Sequence, residues 1–243
     1  MKFYVVIPAR YDSSRFPGKV LAQINGKSML EIVFNNAMES NALEVYIATD
    51  SELVYETAKK FTENVYMTSS DNRNGTERVA EIARILDWDH GDLVINLQAD
   101  LPELKCDNIN LLAKKSINFN GLSTLYYNLS SKDLLRDRDT VKIHINKEKI
   151  NFFRDTDITD MSNIYKHIGI YAYTVKDLYL YCELPKSKSE INLSLEQFRF
   201  LDNGINIMAY CASSNPGASI DSADNLNEIK GINNWIKTKS LYW

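Results

Sequence analysis

Cysteine is scarce in this chain. Cys106, Cys182 and Cys211 are odd in number, widely spaced and include no C-x-x-C pair. That argues against a disulfide framework or a structural zinc site and fits a reducing compartment. No apolar run approaches the length that spans a bilayer, and no basic–apolar leader precedes the opening strand pattern. A soluble cytoplasmic protein with no membrane partner is therefore expected. Positive charge is not in excess either: 28 Lys and Arg stand against 32 Asp and Glu, a formal net charge of -4. Nucleic acid is accordingly not an expected partner. Neither G-x-G-x-x-G nor G-x-x-x-x-G-K-[S/T] occurs, so neither a dinucleotide fingerprint nor a P-loop is supported. There is no internal repeat, linker or low-complexity segment.

What is present starts at Phe3. Five apolar residues without alternation, closed by Pro8, suit a strand buried on both faces. The loop beyond it carries Arg10, Arg15 and Lys19 among Ser13, Ser14, Pro17 and Gly18. Three cations on a small-residue loop at the carboxyl end of a buried strand make a place for phosphates. The competing reading is a solvated basic loop.

With 243 residues, 44% hydrophobic, the chain can bury a full core. Strand patterns at 45–50, 65–68 and 93–100 alternate with helix patterns opening at Ser28, Ser51 and Asn74. This spacing predicts βαβ units and a parallel sheet with helices on both faces. The second half adds strands at 122–128, 141–145, 167–173 and 205–210. Helices are expected over 177–184 and 195–203, and a last one from Asp221 through Ile229, Ile232 and Trp235. The expected fold is a Rossmann-like, doubly wound α/β domain over 1–243, mostly parallel, with a smaller mixed β-rich lobe near 122–175.

Ligands of such a sheet bind at the carboxyl ends of its strands. Asp100, where the fourth strand turns at Pro102, could hold a divalent metal, and Asp221 could join it around a triphosphate. Each also has an ordinary reading, Asp100 as a turn residue and Asp221 or Ser222 as a helix cap. Asn74-Gly-Thr-Glu77 fits a capping arrangement, or could offer backbone and Arg78 to a base or phosphate. Arg154 would suit a carboxylate-bearing substrate. His167 fits a hydrogen-bonded structural role, and Ser194-Leu-Glu196-Gln197 can be read wholly as a capping box.

Val5-Val-Ile-Pro-Ala-Arg-Tyr-Asp-Ser-Ser-Arg-Phe-Pro-Gly-Lys19, Ile47-Ala-Thr-Asp50, Met67-Thr-x(6)-Gly-Thr-Glu-Arg78, Asn96-Leu-Gln-Ala-Asp100, Lys166-His-Ile-Gly-Ile-Tyr171 and Leu195-Glu-Gln-Phe-Arg199 resemble, in order and spacing, the 3-deoxy-manno-octulosonate (Kdo) cytidylyltransferases. The resemblance implies a nucleotide-diphospho-sugar transferase type of fold and a homodimer. The implied reaction is CTP plus Kdo giving CMP-Kdo and pyrophosphate, for lipopolysaccharide or capsule synthesis, with Mg²⁺ as cofactor. It implies that Arg10, Lys19, Asp100 and Asp221 are catalytic and that Asp100 and Asp221 ligate the metal. Pro8, Ala9, Arg10, Arg15, Lys19, Gly75, Thr76, Arg78 and Gln98 would bind the nucleotide. Gln98, Arg154, His167, Glu196 and Gln197 would bind the sugar. Ala99, Leu101 and Leu193 depart from the family pattern. They keep open a modified octulosonate such as 8-amino-Kdo, another ulosonic acid, or a nucleotide-binding module without catalysis.

Overall fold

The structure, a computed structural model, describes residues 2–13, 15–129, 137–147, 149–154, 162–222 and 224–226. In chain order, β1 (Phe3–Pro8), α1 (Met29–Met38), β2 (Glu44–Thr49), α2 (Glu52–Ala58), β3 (Val65–Met67), α3 (Gly75–Ile85), β4 (Leu93–Leu97) and α4 (Cys106–Ser116) form the first half. The second half holds β5 (Leu122–Tyr127), β6 (Lys142–Asn146), β7 (Lys149–Phe153), β8 (Ile164–Thr174), α5 (Val175–Glu183), α6 (Lys188–Leu193), α7 (Phe198–Asp202) and β9 (Ile207–Cys211).

β1 is buried at every position and pairs in parallel with β2 on one side and β4 on the other. β3 continues the parallel run beyond β2. Beyond β4 the sheet turns mixed: β8 is antiparallel to both β4 and β5, and β9 runs parallel to β5. The β-rich region expected near 122–175 is continuous with this sheet through β5 and β8, and only the β6–β7 hairpin extends from β8. Alternation along β1 feeds two cores. Phe3, Val5 and Ile7 pack with α1, α2 and α4 on one face. Tyr4 and Val6 pack with residues of α3, α5 and α7 on the other. Helices on both faces of a β1-centred sheet follow from that pattern.

Two helix starts form as the sequence indicates. Ser28 accepts from the Glu31 N–H and Asn74 from the Glu77 N–H. Around residue 195 the outcome differs. α6, absent from the sequence reading, is capped by Ser187, and Ser194 ends it in a left-handed conformation with φ 52. The capping box at Ser194–Gln197 does not form, because Ser194 terminates one helix instead of starting the next, and α7 begins only at Phe198. In the last helix, Ser222 and Asn225 cap each other, so Asp221 is spared that task. Ile229, Ile232 and Trp235 lie outside the described residues.

Candidate active site at the carboxyl end of the sheet

The chain leaves β1 toward β2 and β3, then returns to place β4 on β1's other side. That reversal opens a crevice at the carboxyl ends of β1 and β4, where open α/β sheets bind ligands. Pro8 ends one strand at this rim, and Gln98-Ala-Asp100 follows the other.

Lys19 joins the two distant aspartates. Its Nζ donates to Asp100 Oδ2 at 2.7 Å, to Asp221 Oδ1 at 3.2 Å and to the Ile220 carbonyl at 3.2 Å. Burial works to lower the Lys19 pKa, but the two carboxylates outweigh it and hold the pKa above its ordinary value. Arg15 donates to Asp221 Oδ1 at 2.8 Å and also pairs with Asp139. Arg10 is exposed at the crevice mouth. Asp100 and Asp221 therefore share one cation, and they are the carboxylates that could hold a divalent ion. Among the described residues no cluster of three or more His, Cys, Asp or Glu side chains suits a metal.

Two adjoining cavities share Arg10, Gly75, Gln98 and Asp100. The smaller, about 230 Å³, is bounded by Pro8, Ser13 and Lys19. The larger, about 330 Å³, is lined by Arg154, Lys166, His167, Tyr171, Glu196 and Gln197. Among the described residues Arg154 donates to the backbone carbonyls of Leu193, Arg138 and Asp139 and forms no ion pair, and it lines the larger cavity. His167 shares a 3.0 Å hydrogen bond with the Thr124 hydroxyl and stands edge-on to Phe152. Burial, with Arg154 adding repulsion, lowers its pKa to about 3, so the ring stays neutral. It is both a structural residue and part of the cavity wall. Glu196 accepts from the Thr76 hydroxyl at 3.0 Å. Burial pushes its carboxyl up to about 7, against the Thr76 hydrogen bonds. Gln197 is 1% exposed. Its Oε1 accepts from Tyr171 at 3.3 Å, and its Nε2 has no partner among the described residues.

Three expected nucleotide-binding residues stand back from the cavities. Ala9 is packed in the core, with its N–H given to Ala48. Thr76 is buried beneath Glu196 and accepts from Asn96 at 3.3 Å. Arg78 is fully buried, paired with Asp50 at 2.6 Å just past the end of β2 and with Thr68, and it lines neither cavity. Leu193, one of the three departures, packs against the core and lends only its carbonyl, to Arg154. Leu101 does line the larger cavity.

The sequence reading missed Arg73, Lys166 and Tyr171 as wall residues. Lys166 and Tyr171 sit inside a motif already singled out. β8 carries a register shift between Ile168 and Tyr171, and no spacing rule exposes such a shift.

The family model for cytidylyltransferases matches residues 4–207. The chain is 36% identical to the 3-deoxy-manno-octulosonate cytidylyltransferase of Pseudoalteromonas translucida, covering 94% of this chain and 96% of that protein. It is 35% identical to that of Haemophilus influenzae, over 96% and 98%. A solved CMP:2-keto-3-deoxy-manno-octonic acid synthetase complexed with CTP superposes with a TM-score of 0.86 at 31% identity, over 97% and 99% of the two chains. A 4-diphosphocytidyl-2C-methyl-D-erythritol synthase, at 13% identity and a TM-score of 0.66, shares the fold. An α/β sheet with a cation-rich crevice, matched along nearly its whole length by these relatives, is a nucleotidyltransferase: the chain belongs to the 3-deoxy-manno-octulosonate cytidylyltransferase family.

Proposed function

We propose that this protein joins CTP and Kdo to give CMP-Kdo and pyrophosphate, supplying activated sugar for lipopolysaccharide or capsule synthesis, as a cytoplasmic homodimer that uses Mg²⁺. The observation that carries the reading is the convergence of Lys19, Asp100 and Asp221 beside a cavity walled by Arg154, His167, Glu196 and Gln197.

The smaller cavity takes the triphosphate, where Arg10, Arg15 and Lys19 neutralise its oxygens and steady the departing pyrophosphate. Asp100 and Asp221 would hold Mg²⁺: two hard carboxylates already share one cation, the oxygen donors that such an ion prefers. When bound, the ion supplies charge neutralisation at the phosphates. The larger cavity takes the sugar acid. Arg154 meets its carboxylate, the Gln197 amide meets a hydroxyl or carboxylate oxygen, and Glu196 engages sugar hydroxyls. Gln98, common to both cavities, stands at their junction. The sugar's anomeric oxygen attacks the α-phosphorus in line, the bond to the bridging oxygen breaks, and pyrophosphate leaves. The protein chiefly positions and neutralises.

Leu101 in the cavity wall favours a second reading for the acceptor alone, a modified octulosonate such as 8-amino-Kdo or another ulosonic acid. Pyrophosphate release measured with CTP, Mg²⁺ and a panel of these acids is the test. Turnover of Kdo supports the reading, and turnover of another acid with Kdo inert moves it to that acid. No release with any acid leaves a nucleotide-binding module. Light scattering at twice the 27.9 kDa chain mass checks the homodimer.

A further inference from the structure

The segment that delivers Asp221 forms no helix or strand between β9 and Ser222, so its position must come from elsewhere. At its root, Asn108 of α4 binds the backbone of Ser213 and Ser214. At its tip, the Ile220 N–H donates to the Asp100 carbonyl at 3.0 Å. In between, one peptide unit is gripped from both sides. Lys166 Nζ donates to the Gly217 carbonyl at 2.9 Å, and Glu103 Oε2 accepts from the Ala218 N–H at 3.2 Å. Gly217 has φ +73, and a Cβ there would lie 2.4 Å from Glu103 Cβ, so glycine lets the strand-less segment lie against Glu103.

We propose that Lys166 and Glu103 are positioning residues: they clamp both polar groups of the Gly217–Ala218 peptide and so hold Asp221 opposite Asp100. Charged partners make such hydrogen bonds stronger than neutral ones. Burial lowers the Lys166 pKa, and the Glu103 and Asp137 carboxylates oppose that effect. The clamp links the loop after β4, the acceptor wall on β8 and the segment bearing the second aspartate. What Asp221 is held for rests on the proposed function; the clamp itself does not.

The test uses the full chain with removal variants Lys166→Met, Glu103→Met and their double, and conservative variants Lys166→Arg and Glu103→Gln. Near-ultraviolet dichroism and unfolding midpoints establish that each is folded. Hydrogen exchange of the 213–221 amides should quicken about tenfold in each removal variant, with the double little worse than the faster single, since both grip one peptide. The half-saturating Mg²⁺ concentration and the KM for CTP should rise about tenfold in each removal variant, while in Glu103→Met, whose side chain lines neither cavity, the KM for the acceptor stays within about twofold. The conservative variants should recover most of both effects. Unchanged exchange overturns the clamp. Quickened exchange with unchanged Mg²⁺ dependence overturns its role in placing Asp221. A raised acceptor KM in Lys166→Met, with Mg²⁺ dependence unmoved, makes Lys166 a substrate contact instead. If the unaltered protein turns over no CTP with any acid, the proposed function fails, and the exchange result still decides the clamp.

Discussion

Arg199 and Glu190 meet in a buried two-point ion pair: Nε donates to Oε2 at 2.8 Å and Nη2 to Oε1 at 2.5 Å. Arg199 Nη1 also reaches Glu77 at 3.1 Å, and its guanidinium lies 4.2 Å from the Tyr181 ring centroid. The network ties α6 and α7 to the start of α3, and so fixes the turn that presents Glu196 and Gln197. Arg199→Met leaves Glu190 and Glu77 without their shared cation and should cost ~3–5 kcal/mol in urea unfolding. Lys in its place restores one contact rather than the two-point grip, and should recover only part. A loss below about 1 kcal/mol would mean the pair behaves as a solvated surface bridge.

Glu196 sets a pH dependence whose sign follows from its raised carboxyl pKa. Burial lifts the folded value to about 7 from an ordinary 4.5, so the folded state holds a proton that the unfolded chain releases. Its contribution to stability is complete below about pH 4.5 and is lost as pH rises through about 7. Glu196→Gln lacks this titration. The stability of the native protein relative to this variant should therefore be greater at pH 5 than at pH 8, as read by denaturant midpoints with m-values held equal. A difference independent of pH would show that the carboxyl titrates as if in water.

The parallel half was legible because its cues are local. Phe3–Ile7 reads as a doubly buried strand, and Ser28 and Asn74 cap the helices that their spacing announces. Asp100 and Asp221 could be named as a pair, yet only tertiary structure brings them to Lys19. The region around 195 misled because Ser194-Leu-Glu-Gln197 satisfies a capping pattern while burial sends Gln197 inward. Arg78 sits in a motif at the crevice, but its pairing with Asp50, 28 residues back in the chain, is made only by the tertiary structure. The Arg199 network joins residues up to 122 apart in sequence, beyond the reach of any spacing rule.

Gln197→Met separates binding from stability. The change removes a buried amide nitrogen that has no protein partner among the described residues, and strands the Tyr171 hydroxyl that now donates to Oε1. These effects oppose one another, so ligand-free stability should move by no more than ~1 kcal/mol. The acceptor KM should rise about tenfold or more, with the KM for CTP unchanged, since sites that hydrogen-bond a substrate lose most when that bond is deleted. An unchanged acceptor KM would place the sugar away from α7.

Asp100→Asn tests the carboxylate pair. Lys19 keeps Asp221, so the fold should persist with a nearly unchanged unfolding midpoint. Turnover should fall by about 10²–10³, the scale for removing one preorganised charge from a reacting centre. Chelation of Mg²⁺ from the unaltered enzyme should abolish pyrophosphate release, and readdition should restore it. Activity that survives chelation would remove Asp100 and Asp221 from any metal role.

Gly75→Ala probes how tightly α3 is pressed to the crevice. An added Cβ would lie 3.1 Å from Pro8 Cγ and 3.4 Å from Gln98 Nε2. The Pro8 ring is rigid and its strand is held in register with β2, while α3 is fixed by the Asn74 cap and by Glu77. Neither side yields freely, so the accommodation falls on Gln98 and the cavity edge it shares with the nucleotide site. Alanine also favours a helix over glycine by up to about 1 kcal/mol, which offsets part of the crowding. The unfolding midpoint should therefore shift little while the KM for CTP rises about tenfold. A marked loss of stability with KM intact would show instead that the Pro8–Gly75 contact serves packing alone.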